Sequence, residues 1–113
     1  MTSTRKFERG ELVTILGRGD YEGKPRPAII LQHQRHALNS VIVCPLTSTP
    51  IDLEVPYRIQ IEPNRRNGLK LTSWAMADKI SSISRERISG KFGTVESTAL
   101  ERIADGLNVL LDF

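Results

Sequence analysis

The stretch Arg26-Pro27-Ala28-Ile29-Ile30-Leu31 decides the fold class. Four apolar residues follow a proline-flanked arginine with no polar residue between them. A strand with one wet face would alternate, so a short unbroken run of this kind predicts a strand buried on both faces. It is preceded by Gly17-Arg18-Gly19-Asp20-Tyr21-Glu22-Gly23-Lys24-Pro25, whose glycines and proline mark an irregular loop. Upstream, Leu12-Val13-Thr14-Ile15-Leu16 is rich in branched residues and predicts a first strand. Residues 1–8 are polar and basic and are expected to lie loose outside the fold.

Downstream the strands continue. Gln34 to Asn39 is a polar turn, and Ser40 to Leu46 predicts a third strand that runs into the loop Thr47-Ser48-Thr49-Pro50. Tyr57-Arg58-Ile59-Gln60-Ile61 alternates, as a strand with one wet face does. Pro63 to Leu69 is a turn, with Asn67-Gly68 as its sharpest signal. Leu71 to Met76, Lys79 to Ile83 and Lys91 to Val95 predict three further short strands, and Ser84 to Ile88 one helical turn. The period then changes. Leu100, Ile103, Leu107, Leu110 and Leu111 recur at helical spacing, with Thr98 and Glu101 as a candidate capping box and Gly106 as a weak point. Many short strands closed by one amphipathic helix predict a mainly β (α+β) domain, a small, strongly curved sheet or barrel.

At 113 residues the chain is expected to form a single domain, 1–113. Charged residues make up 26% and the net charge is +3, a mild basic excess that suits a polyanion without requiring one. The single cysteine, Cys44, excludes an internal disulfide and sits within an apolar run as an inert thiol. No apolar stretch approaches the length of a membrane span, and no signal segment stands behind Met1, so a cytoplasmic location and no membrane partner are expected. His33 and His36 have no acidic or cysteine neighbours in sequence, so no metal or cofactor is expected.

Two loop features could carry chemistry. In Pro25-Arg26-Pro27 the prolines stiffen the backbone around one guanidinium, which can offer a phosphate a bidentate fork and stabilise developing negative charge. Thr47, Ser48 and Thr49 place three hydroxyls just past a buried strand, where sites are commonly grafted. Taken locally, each is as readily an ordinary turn.

In order and spacing, four segments resemble the MazF/PemK family of endoribonuclease toxins: Arg9-Gly10-Glu11-Leu12-Val13, Arg26 to Leu31, Val41 to Ser48 with its Pro-x-Thr ending, and Ala77-Asp78-Lys79-Ile80-Ser81-Ser82-Ile83. The resemblance extends from about Arg9 to the C-terminus and implies a small SH3-like barrel of the CcdB/MazF toxin type with a C-terminal amphipathic α-helix. It further implies a homodimer that cleaves single-stranded RNA without metal, and an acidic antitoxin that covers the RNA groove. Arg26 and Thr47 align with the catalytic arginine and threonine. Glu22, Ser48, Asp78 and Lys79 are further catalytic or RNA-binding candidates, and Arg18, Tyr21, Lys24, Arg65 and Arg66 are candidate RNA contacts. Met76 stands where some relatives carry a second arginine, which shifts more of the work to Arg26. Tyr21 and Trp74 are possible base-stacking platforms, though Trp74 lies in an apolar strand where a core role is the commoner one. Two other readings remain: a gyrase inhibitor of the same fold, which would carry a Trp-Gly-Ile ending absent from Leu110-Leu111-Asp112-Phe113, and a barrel that binds RNA without cutting it.

Overall fold

The structure is a computed structural model and describes residues 6–17, 24–50 and 54–112. Within these residues seven strands form one antiparallel sheet: β1 Glu11–Ile15, β2 Arg26–Ile30, β3 Ser40–Thr47, β4 Arg58–Ile61, β5 Ser73–Met76, β6 Ser81–Ser84 and β7 Ile88–Thr94. Single 3-10 turns, Ala77–Lys79 and Arg85–Arg87, flank β6, and the helix α1 spans Ser97–Leu111.

The strand order is β4-β5-β3-β2-β1-β7, with β6 also paired to β3. The length of β3 makes this possible. Its start, Ser40 to Val43, pairs with β6, while its end, Leu46 and Thr47, pairs with β5. Two short strands thus share one edge of β3, and β2 holds the other. The sheet bends at this division but its path stays open between β4 and β7, so the expected barrel is a strongly curled sheet without closure.

Strand β2 is buried on both sides, as its unbroken apolar run predicts. Ile29 joins Leu12, Cys44, Leu46, Ile59, Ala75 and Ile103 in one apolar cluster. Ala28 and Ile30 point the other way, into a second cluster with Val13, Ile15, Val41, Val43, Ile83 and Ile88. Each fully buried aliphatic side chain contributes about 1.5–3 kcal/mol relative to exposure, so two cores can hold a thin sheet from both sides. Phe7, expected in a loose terminus, is buried in the second cluster with the Arg85 guanidinium 4.9 Å from its ring centre.

Helix α1 covers the first cluster, packing on β4 and on the turn Ala77–Lys79. Ile103 is buried and Leu100 and Leu107 half-buried, but Leu110 and Leu111, assigned from periodicity to the same stripe, are exposed in the last turn of the helix. The capping box does not form. The N-cap is Glu96, it makes no side-chain cap bond, and Thr98 already lies inside the first turn. Gly106, read from sequence as a weak point, is buried against the segment that leads into β4. A Cβ there would come 2.7 Å from the Pro56 carbonyl oxygen and 2.9 Å from the Tyr57 Cα, so the glycine lets α1 dock.

Cys44 is buried, and burial, with the Asp78 charge as a lesser cause, pushes its thiol up to about 12. It is a packing residue. His33 and His36 lie in the exposed turn after β2, where His33 Nδ1 accepts the Arg35 backbone N–H at 3.1 Å. No group of three or more His, Cys, Asp or Glu side chains suited to a metal stands together among the described residues. Likewise, no helix there is long and apolar enough to cross a membrane.

Candidate active site

Arg26 opens β2 and Thr47 ends β3. The two strands pair Ile30 with Val43, Ile29 with Cys44 and Ala28 with Pro45. Carried two residues further, that register sets Arg26 opposite Thr47 and, by the alternation of a strand, on the same face of the sheet. The row continues on both sides, with Ile15 opposite Arg26, Trp74 opposite Thr47, and Gln60 opposite Trp74. The curl of the sheet changes what this face meets. At Ala28, Ile30 and Val43 it is core, whereas at Arg26, Thr47, Trp74 and Gln60 it is partly or fully exposed.

A cleft of about 330 Å³ opens beside the row and is lined by Lys24, Arg26, Thr47, Ser48, Lys70 and Leu71, among others. Arg26 is exposed, and no hydrogen bond or ion pair engages its guanidinium among the described residues. The Thr47 Oγ1 accepts the Thr49 backbone N–H at 3.1 Å. That bond closes a local hydroxyl turn, fixes the oxygen, and leaves the hydroxyl proton free to donate. With Lys24 and Lys70, the cleft offers three cations and hydroxyl donors for a phosphodiester.

One wall of the cleft, Leu69 to Leu71, is placed from a distance. Asn67 is buried; its Oδ1 accepts the backbone N–H groups of Asn64 (3.0 Å) and Leu69 (2.9 Å), and its Nδ2 donates to the Glu62 carbonyl at 2.9 Å. The loop then docks on β7, where the Thr94 N–H donates to the Arg66 carbonyl at 3.1 Å and Arg66 Nε donates to Thr94 Oγ1 at 3.0 Å. Gly93 permits this contact, since a Cβ there would collide with the Asn67 carbonyl. The predicted turn is present, and Asn67 holds it as a clasp.

Asp78 lies on the 3-10 turn after β5, outside the cleft lining. Arg58 grips it in bidentate fashion, Nε to Oδ1 at 2.6 Å and Nη2 to Oδ2 at 2.9 Å. That hydrogen bonding holds the Asp78 carboxyl below its ordinary range. Sequence reading did not single out Arg58 or Lys70. Arg58 carried a signal, its place on the wet face of an alternating strand. Lys70 had none, because its place in the cleft depends on the Asn67 clasp.

The other candidates divide. Lys24 and Ser48 line the cleft. Lys79 is exposed next to Asp78 and does not line the cleft. Arg65 and Arg66 sit on the docked loop and do not line it, and Arg66 is committed to Thr94. Arg18, Tyr21 and Glu22 lie outside the described residues.

A curled antiparallel sheet with one covering helix and a basic, hydroxyl-rich cleft at its strand ends describes a small domain built to take a phosphorylated polymer. Residues 8–111 match the family of PemK-like, MazF-like toxins of type II toxin–antitoxin systems. The chain is 38% identical over 106 residues to the probable endoribonuclease MazF of Mycolicibacterium smegmatis, covering 93% of this chain and 96% of that protein. It belongs to the PemK/MazF toxin family. Solved structures share the fold at lower identity. They include MazF in a MazE-MazF crystal from Deinococcus radiodurans (TM-score 0.78, 21% identity, 96% of this chain and 99% of that one) and the Mycobacterium tuberculosis toxin MazF-mt6 (TM-score 0.71, 22% identity, 89% and 97%).

Proposed function

We propose that this toxin is an endoribonuclease that cuts single-stranded RNA at a short motif without a metal ion, with the reacting phosphate between Arg26 and Thr47. The observation that carries the reading is the β2–β3 register, which sets these two side chains across from each other on an exposed face at the mouth of a basic cleft. The ribose 2′-hydroxyl attacks the adjacent phosphorus. A 2′-O–P bond forms, the P–O5′ bond breaks, and the products are a 2′,3′-cyclic phosphate and a 5′-hydroxyl. The Arg26 guanidinium stabilises the charge that builds on the phosphorane, and the Thr47 hydroxyl donates to a non-bridging oxygen. Glu22 is the candidate acceptor of the 2′-hydroxyl proton, and a proton delivered through solvent to the departing 5′-oxygen completes the 5′-hydroxyl. Lys24, Ser48 and Lys70 hold the flanking chain.

The partners follow from the same reading. The Deinococcus radiodurans relative was crystallised as MazE-MazF, and by extension an antitoxin with an acidic segment neutralises the cleft of this chain. A homodimer in the cytoplasm completes the proposal. Purified protein incubated with long single-stranded RNA and EDTA should yield discrete fragments with 5′-hydroxyl ends, and sequencing those ends gives the motif. Intact RNA would overturn the enzymatic reading, and cutting that stops with EDTA would overturn its metal independence.

A further inference from the structure

Trp74 is the single tryptophan of the chain, and its setting does not match a core role. Along β5 the side chains of Ser73 and Ala75 are buried, while Trp74 between them faces the other way and is half-buried. It belongs to neither of the two apolar clusters. No hydrogen bond engages its indole N–H among the described residues. The register places it directly across from Thr47, with Gln60 on its far side. Neighbouring strands are about 4.8 Å apart, so an aromatic ring one strand from the reacting phosphate lies within one nucleotide's reach.

The polar groups around it are held in place. Gln60 Nε2 donates to Glu62 Oε2 at 2.7 Å, and Thr72 donates to the other oxygen of the same carboxylate. Two register positions on, Arg58 is fixed by Asp78. A partly exposed indole beside the cleft, between ordered side chains and the Arg26–Thr47 pair, suits an unstacked base, because every base has a π-face to stack.

We infer that Trp74 is the stacking platform for the nucleobase next to the scissile phosphate, so that it sets substrate affinity and the base preference at that position. The inference rests on the proposed RNA-cutting reading and deepens it. Base–aromatic stacking makes its loss worth roughly five- to hundredfold in affinity, so Trp74→Ala should raise KM by that factor with kcat nearly unchanged, and Trp74→Phe should recover most of it.

The test uses the tryptophan itself. Short single-stranded DNA oligomers, which lack the attacking hydroxyl, are titrated into the full chain while its fluorescence is read, and an abasic site is walked along the oligomer. The expected result is quenching that disappears at one abasic position. Binding, measured by anisotropy of a labelled oligomer, without any change in tryptophan emission overturns the platform. So does a Trp74→Ala variant that cuts RNA with unchanged KM and motif. If that variant does not fold, the quenching walk and Trp74→Phe decide. Quenching without cleavage of the matching RNA would leave the platform standing and overturn the nuclease. Failure of every oligomer to bind would overturn both.

Discussion

Arg26 and Asp78 show how differently two charged residues can be engaged in one fold. The guanidinium of Arg26 is exposed and unengaged among the described residues. Its removal should therefore cost chemistry and not fold: Arg26→Ala should lower kcat/KM by roughly a hundred- to a thousandfold while the thermal midpoint stays within a degree or so of wild type. A large fall in the midpoint would assign Arg26 a structural role instead. Asp78, by contrast, is committed to Arg58. Its pKa is lowered in the folded state, so the pair stabilises above the unfolded-state pKa of about 4. That contribution fades as pH falls through the lower folded value. Asp78→Asn should cost about 1 kcal/mol or less at neutral pH, since the pair is partly solvated, and the difference from wild type should begin to shrink below about pH 4 and vanish only below the lower folded-state value. A difference that persists in acid would mean the ion pair is not its source.

Elements are joined here by close approaches that residue preferences do not reveal. Gly106 ought to be improved by alanine on helix propensity alone, by about 1 kcal/mol. The Pro56 carbonyl, 2.7 Å from where the methyl would sit, argues for the opposite sign. We expect Gly106→Ala to destabilise by roughly 1–3 kcal/mol in a denaturant titration, as overpacking does; a gain would show that α1 can shift off β4. The same logic explains the wall of the cleft. Lys70 and Leu71 reach the site because Asn67 clasps its loop and Gly93 lets that loop lie on β7.

Across the molecule the modest net charge of +3 matters less than where its cations stand. Lys24, Arg26 and Lys70 converge on one cleft among the described residues. If each neutralises one phosphate, binding of single-stranded nucleic acid should fall with salt at a log–log slope of roughly −2, about −0.7 for each cation. Lys70→Ala should reduce that slope by one such increment. An unchanged slope would place the nucleic acid elsewhere.

Much of this protein was legible in its residues. The unbroken run Ala28 to Leu31 announced a strand buried on both faces, and two cores enclose it. The helical stripe located α1, and the order of four short segments pointed to the family. Local pattern could read these because each depends on neighbours in the chain. The rest waited for the fold. Arg58 meets Asp78 twenty positions away, the Asn67 clasp brings Lys70 to the cleft, and one face of the sheet changes from core at Val43 to partly exposed at Thr47 and Trp74. Burial and proximity between distant segments are set by how the sheet bends, so the sequence named the strands and the structure decided which of their side chains meet.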